Sequence, residues 1–326
     1  MKDWTVSGEK IVIIDGGYKS YQHEEKLLGG AGYTLEIFEG DRHDRKGRMR
    51  FAQNAIGLLC RLTKVDAEFL DAVPTLKAIV RYGVGFDSID VSAASARGVK
   101  VANVTRYADN SVSDHALALM FACTRAIPLG EKMLKSQYEK PPRTSIFEFR
   151  DKTLGIVGLG SIGETLCSKA SPLFKRIFAS DPYVPDERFQ ELGVIRTDFN
   201  TLLAESHVIS LHCSLTEETA KIINRNAFRQ MQKRPMLINT SRGPLIDEDA
   251  LLEALNRGQI HSAGLDVFCD EPPLANRDDL LAHPHLIATG HYAWYSEESM
   301  IELQRRASEN LLMLLQGKIP EDCLNP

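Results

Sequence analysis

Thr153-Leu154-Gly155-Ile156-Val157-Gly158-Leu159-Gly160-Ser161-Ile162-Gly163 reads as a buried strand that turns on glycines into a helix. Gly158, Gly160 and Gly163 have the spacing of a dinucleotide-binding turn. The first glycine allows the tight turn, the second lets the backbone approach a pyrophosphate, and the third lets the helix pack on the strand. Phosphates would sit on the N–H groups of the helix start, at Ser161, Ile162 and Gly163, where the helix dipole favours them. After a helix over 164–174, Arg176-Ile177-Phe178-Ala179-Ser180 looks like a second strand ending at Asp181. An acid about 20 residues beyond the last glycine can hold the ribose hydroxyls of an adenosine. It would also repel a 2′-phosphate, so NAD is expected rather than NADP.

The chain has 326 residues, which suits two domains. A net charge of −5 gives no general pull toward nucleic acid or an anionic membrane. The basic clump 42–50 is broken by Asp44 and reads as a solvated loop or helix face. No run of about 18 apolar residues suggests a membrane span. Residues 1–10 are polar, unlike a secretory signal. Six scattered cysteines read as reduced, mostly buried thiols of a cytoplasmic protein, without metal-type pairing.

Strands and helices alternate, as parallel sheets require. Strands are expected over 10–15, 33–39, 55–61, 77–81 and 99–104, with helices over 21–28, 67–73 and 92–97. These make a five-stranded α/β unit with no glycine fingerprint. The apolar helix 110–126 precedes the fingerprint and is expected to cross between domains. Residues 137–150, with Pro141-Pro142 and exposed-looking aromatics, suit a loop or dimer arm. The second unit is expected to start near Asp151, with later strands over 208–212, 236–239, 262–266 and 286–289. The final helix, 296–315, is expected to fold back onto the first unit.

In open α/β sheets ligands collect at the carboxyl ends of the strands. There Asn239-Thr240 runs into Ser241-Arg242-Gly243, Gly264-Leu265-Asp266 runs toward Glu271, and Thr289 runs into Gly290-His291. One arginine, two acids and one histidine are thus aimed at one rim. Reducing a 2-keto acid needs a hydride, a proton for the carbonyl oxygen and an anchor for the carboxylate. A guanidinium fork can bind carboxylate and carbonyl together. A histidine can move the proton, and a neighbouring carboxylate can orient it. His115 lies in the long helix and His207 enters its strand. His283 and His285 precede theirs, at the opposite edge, which disfavours a metal site with His291. His212 ends a strand and is a rival acid/base, but with Cys213, Ser214 and Thr219 it fits better under the ribose of a cofactor. Thr240 and Ser241 complete the expected cofactor contacts.

These motifs, with Asp247 after Gly243 and Pro272 after Glu271, resemble the D-isomer-specific 2-hydroxyacid dehydrogenases over nearly the whole chain. The resemblance implies an NAD-dependent oxidoreductase interconverting a small 2-keto acid and its D-2-hydroxy acid. It assigns Arg242 to substrate binding, His291 to acid/base work, Glu271 to His291, and Asp266 to the nicotinamide end. Backbone N–H groups of Val84 and Gly85 would take the substrate carboxylate. The implied fold is α/β, with two doubly wound parallel-sheet domains. A Rossmann NAD-binding domain, 107–292, is inserted into a flavodoxin-like substrate domain, 1–106 and 293–326, and the family is expected to form homodimers.

His291-Tyr292-Ala293-Trp294-Tyr295-Ser296-Glu297, with Arg81 and Phe86-Asp87, looks like the C-terminal-binding-protein branch. In that branch a tryptophan at the place of Trp294 lines the substrate pocket and an arginine at the place of Arg81 approaches it. A helix-start aromatic packing between the domains is the other reading of Trp294. Gly290 stands where the family usually has proline, implying a looser backbone at the base. Ser113-Asp114-His115 stands where an Ala-Glu-His-type run is common. An NAD(H)-sensing corepressor or scaffold is the alternative outside enzymes, and a short phosphoglycerate dehydrogenase the alternative within them.

Overall fold

The computed structural model describes residues 8–41, 43–136, 145–271 and 277–326. Pro141, Pro142, Arg42, Pro272 and residues 1–7 lie outside them. The chain forms two compact units, residues 1–108 with 296–326, and residues 109–295.

In the first unit, β1 (Lys10–Ile13), β2 (Thr34–Ile37), β3 (Ala55–Cys60), β4 (Ala78–Arg81) and β5 (Lys100–Ala102) form a parallel sheet ordered β2-β1-β3-β4-β5. This is the flavodoxin-like order. β3 is buried at every residue, so its run of apolar side chains has no polar alternation, as a strand covered on both faces requires. Asp15 follows β1, and its Oδ2 accepts the N–H groups of Arg61, Leu62 and Thr63 at 2.7–2.9 Å, which ties the carboxyl ends of β1 and β3 together. The expected helix over 21–28 is one α-turn, Gln22–Glu24, followed by a wider π-turn, Glu25–Gly29.

The final helix, Glu297–Leu315, belongs to this unit. Ser296 caps it, accepting the Ser299 N–H while Ser299 Oγ takes the Ser296 N–H. Gln304 Nε2 donates to the buried Glu24 carboxyl, which also accepts the Tyr82 hydroxyl at 2.7 Å.

The second unit holds β6 (Thr153–Val157), β7 (Arg176–Ser180), β8 (Ile195–Arg196), β9 (Val208–Leu211), β10 (Met236–Asn239), β11 (Ser262–Leu265) and β12 (Leu286–Ala288). They form one parallel sheet ordered β12-β11-β10-β9-β6-β7-β8. This is the Rossmann order with one further strand, and the direction of winding reverses between β6 and β9. The helix Asp109–Thr124 packs on β10, β11 and β12 and on the helix Ser161–Ala170.

The aromatics expected to be exposed near residue 149 are not. Phe149 is buried and stacks on Phe174 at 4.6 Å, and Phe147 sits edge-on to His261 at 5.0 Å. Phe149 therefore joins this unit's own core, with Phe147 packed against it, because aromatic rings gain more from packing together than from standing in water.

Candidate active site

β6 delivers the chain to Gly158, whose φ of +92° puts it in the left-handed region. A Cβ there would lie 2.4 Å from the Cys213 backbone nitrogen, so the crossing of the fingerprint loop and the β9 loop requires glycine. The helix Ser161–Ala170 follows, with no side chain capping its start. A Cβ on Gly160 would meet nothing within 4 Å, which leaves open space over the helix N-terminus. Asp181 stands at the end of β7, where its Oδ2 accepts the Leu159 N–H at 2.8 Å and its Oδ1 the Tyr183 N–H at 2.9 Å. Ser161 Oγ donates to Asp109 at 3.1 Å.

At the end of β9 the His212 imidazole turns inward to Ser210 Oγ at 2.8 Å. Burial pushes its pKa down to about 4, so it is neutral and no acid/base for substrate. Burial pushes the Cys213 thiol up to about 11. Thr219 Oγ1 donates to Ser214 O and accepts the Thr216 N–H, both at 2.7 Å, so it shapes the turn. Ser241 Oγ donates to Cys213 O at 2.7 Å, joining the β9 and β10 loops. Thr240 Oγ1 is buried and has no hydrogen-bond partner among the described residues. An uncapped helix start under open space, an acid fixed to the glycine loop and an orphaned buried hydroxyl fit a dinucleotide.

Arg242 is set by its neighbours. The Asn239 side chain accepts the Ser241 N–H at 3.0 Å and donates to Arg242 O at 2.8 Å, which fixes the turn after β10. A Cβ on Gly243 would fall 1.9 Å from the Phe268 carbonyl carbon, so glycine lets the loops after β10 and β11 touch. Glu271 Oε1 accepts the Phe268 N–H at 3.0 Å, and Oε2 accepts from His291 Nδ1. Burial alone would raise this carboxyl. The bonds from His291 and Phe268, with the nearby charges of His291 and Arg242, hold it below its ordinary value. An ionised carboxylate only accepts, so His291 Nδ1 carries the proton and Nε2 is the ring nitrogen left to exchange one.

His291 has φ +54°, rare for a residue with a side chain. Its N–H donates to Asp266 O at 2.7 Å, and its carbonyl accepts the Trp294 indole N–H at 3.0 Å. The Asp266 carboxylate accepts the next two N–H groups, from Tyr292 at 3.2 Å and Ala293 at 2.8 Å. It also accepts the Thr289 hydroxyl at 2.5 Å, and that oxygen lies 2.9 Å from His115 Nε2.

The Asp266 side chain is wholly enclosed and holds the chain around His291. Trp294 is tied by its indole nitrogen to the backbone of His291. Arg81 ends β4, with its guanidinium folded over Gly83, and Val84 and Gly85 form the next turn, where Val84 O accepts from Asn103 Nδ2 at 2.6 Å. Asn239 and Thr289 were not singled out in the sequence, although both sit inside motifs quoted from it. His115 lies in a helix, and sequence spacing carries no signal that this helix reaches Thr289.

Residues 117–293 match the model of the D-isomer specific 2-hydroxyacid dehydrogenase NAD binding domain. The glyoxylate reductase of Thermofilum pendens is 36% identical over 299 residues, covering 86% of this chain and 84% of that protein. The D-3-phosphoglycerate dehydrogenase of Archaeoglobus fulgidus is 36% identical over 263 residues, covering 81% of this chain. The match covers 50% of that enzyme, so the chain spans about half the length of such relatives. The D-lactate dehydrogenase of Aquifex aeolicus, solved with NAD and lactic acid, is 26% identical with a TM-score of 0.86, covering 97% of this chain and 99% of that one. By its matched domain and its relatives, the chain belongs to the D-isomer specific 2-hydroxyacid dehydrogenase family.

Proposed function

We propose that the protein interconverts a small 2-keto acid and its D-2-hydroxy acid, with NAD as cofactor. The observation that carries this reading is His291 Nδ1 held on an ionised Glu271, with the charge of Arg242 close enough to lower that carboxyl. Bound NADH would supply the hydride to the carbonyl carbon. His291 Nε2 gives its proton to the carbonyl oxygen, and Glu271 stabilises the imidazolium before that step and keeps the ring oriented after it. Arg242 binds the carboxylate and polarises the carbonyl. The N–H groups of Val84 and Gly85 take the carboxylate, and Arg81 is assigned to the substrate as well. The discontinuous unit is the substrate domain, and the Rossmann unit holds NAD through Gly158, Gly160, Ser161, Ile162, Gly163 and Asp181, with the backbone of 212–214 and 240–241. The enzyme is proposed to work as a homodimer.

Glyoxylate reductases, D-lactate dehydrogenases and phosphoglycerate dehydrogenases among the relatives support a panel of glyoxylate, hydroxypyruvate, pyruvate and phosphohydroxypyruvate. NADH oxidation should be followed optically on each, with His291→Ala as control. Turnover on one of them, reduced by about 10²-fold or more in the variant, is the expected result. Tight NADH binding with no turnover on any would favour the NAD(H)-sensing scaffold instead.

A further inference from the structure

We propose that His115, on the helix Asp109–Thr124 and outside the motifs that carry the chemistry, is a positioning residue for His291 and acts through Thr289 and Asp266. This rests on the acid/base role proposed for His291. The direction of the bonds follows from the atoms. The Thr289 hydroxyl gives its one proton to Asp266 Oδ1, so the Thr289 oxygen must accept from His115 Nε2. His115 is therefore the Nε2–H tautomer. Burial lowers its pKa, against the opposing charge of Asp266, which agrees with a neutral donor. The direct gap from His115 Nε2 to Asp266 Oδ1 is 3.6 Å, so the threonine carries the link.

His115 completes the shell of Asp266 from one side, and the N–H groups of Tyr292 and Ala293 complete it from the other. The His115 ring also stands edge-on to the Tyr292 ring at 5.2 Å, so it touches the residue after His291 directly. The catalytic loop is thereby fixed from a helix that contributes no group to the reaction. Without the His115 proton, the Thr289 hydroxyl is free to turn, the Asp266 carboxylate loses a fixed donor, and the left-handed backbone at His291 loses part of its support.

The test uses full-length His115→Leu and Thr289→Val, which remove the chain of donors, with His115→Gln and Thr289→Ser, which keep a donor at each place. Each is read by steady-state kinetics, by NADH affinity and by the proton resonance of His291 Nδ1–H, assigned through its loss in His291→Ala. His115→Leu and Thr289→Val are expected to lower kcat about tenfold or more, since small misplacements of a reacting group cost that much. KM and NADH affinity should stay within about twofold, the resonance should broaden or vanish, and the Gln and Ser variants should recover most of the rate. Should His115→Leu fail to fold, Thr289→Val decides, because it replaces one hydroxyl by a methyl. Folded variants with unchanged kcat and an unchanged resonance would overturn the proposal. So would a loss of rate that tracks lost thermal stability and is not rescued by Gln or Ser. If the wild type turns over no keto acid yet the resonance is lost in the Leu and Val variants and kept in Gln and Ser, the positioning stands and the proposed reaction does not.

Discussion

Asp266 accepts the backbone N–H of His291 through its carbonyl, at 2.7 Å, and with its carboxylate takes the next two N–H groups along the chain. Three consecutive donors thus converge on one residue at the end of β11. A left-handed backbone at a residue with a side chain costs roughly 1–3 kcal/mol unless its surroundings impose it. Here they do, because releasing the loop would strand a fully enclosed carboxylate without donors. The strain at His291 aims the imidazole at Glu271, and the burial of Asp266 maintains it.

Asp266→Asn tests this coupling. The amide keeps the shape but must turn an NH2 toward either the Ala293 N–H or the Thr289 and Tyr292 donors. A donor facing a donor in a closed site should cost about 1–3 kcal/mol of stability, read by urea denaturation. The kcat of the variant should fall as well, while NADH affinity holds, because the loop it releases carries His291, the proposed acid/base, and not the glycine loop. An Asn variant as stable and as active as the wild type would refute the clamp.

Gly158→Ala and Gly160→Ala separate folding from cofactor binding. At Gly158 a side chain meets both a positive φ and the Cys213 backbone at 2.4 Å, so the loops must part and stability should drop, by about 1 kcal/mol or more. At Gly160 φ is −77° and the added methyl meets nothing within 4 Å. That variant should melt with the wild type yet bind NADH about tenfold more weakly, since the methyl occupies the space over the helix start. Calorimetric titration and thermal melts of both report the two effects apart.

The fingerprint and its acid were legible because their requirements are local: a glycine forced by φ, an uncapped helix and a strand end within one βαβ unit. The pairing of Glu271 with His291 was legible through chemistry, as an acid and a base at one sheet edge. The bonds of Asp266 to its own chain were not legible, because an acid at a strand end looks the same in sequence whether its carboxylate faces a ligand or its own chain. Only the path of residues 289–293 decides that. β8 has no sequence signal, because a pair of residues, Ile195–Arg196, is too short to show a period. The aromatics at 147 and 149 looked exposed because their partners, Phe174 and His261, are distant in sequence.

Glu271 fixes the acid behaviour of the site. Its folded pKa lies below the ordinary 4.5 of a glutamate, so its contribution is present above that value and is lost as pH falls through the folded one. The stability advantage of the wild type over Glu271→Gln should hold above about pH 5 and shrink below about pH 4. At neutral pH the variant should keep its KM and lose kcat by at least about tenfold, since a neutral amide cannot stabilise the imidazolium. Denaturation curves across pH check the first expectation and a kcat–KM comparison the second. A stability gap that widens in acid would mean that Glu271 is not ionised in the folded protein.

Gly290 is the departure from the family pattern that the structure renders harmless. Glycine beside the proposed acid/base suggests a loose backbone, yet the clamp by Asp266 and the Trp294 indole begins at the very next residue. Gly290 has no left-handed φ to require glycine, and a Cβ there would meet nothing within 4 Å. Gly290→Ala should therefore leave kcat within about twofold and stabilise the protein by about 0.4–1 kcal/mol, by restricting the unfolded chain. Thermal denaturation and steady-state rates on the best keto acid measure both. A marked fall in kcat with unchanged stability would mean that the His291 loop must open during turnover and that glycine is there to let it move.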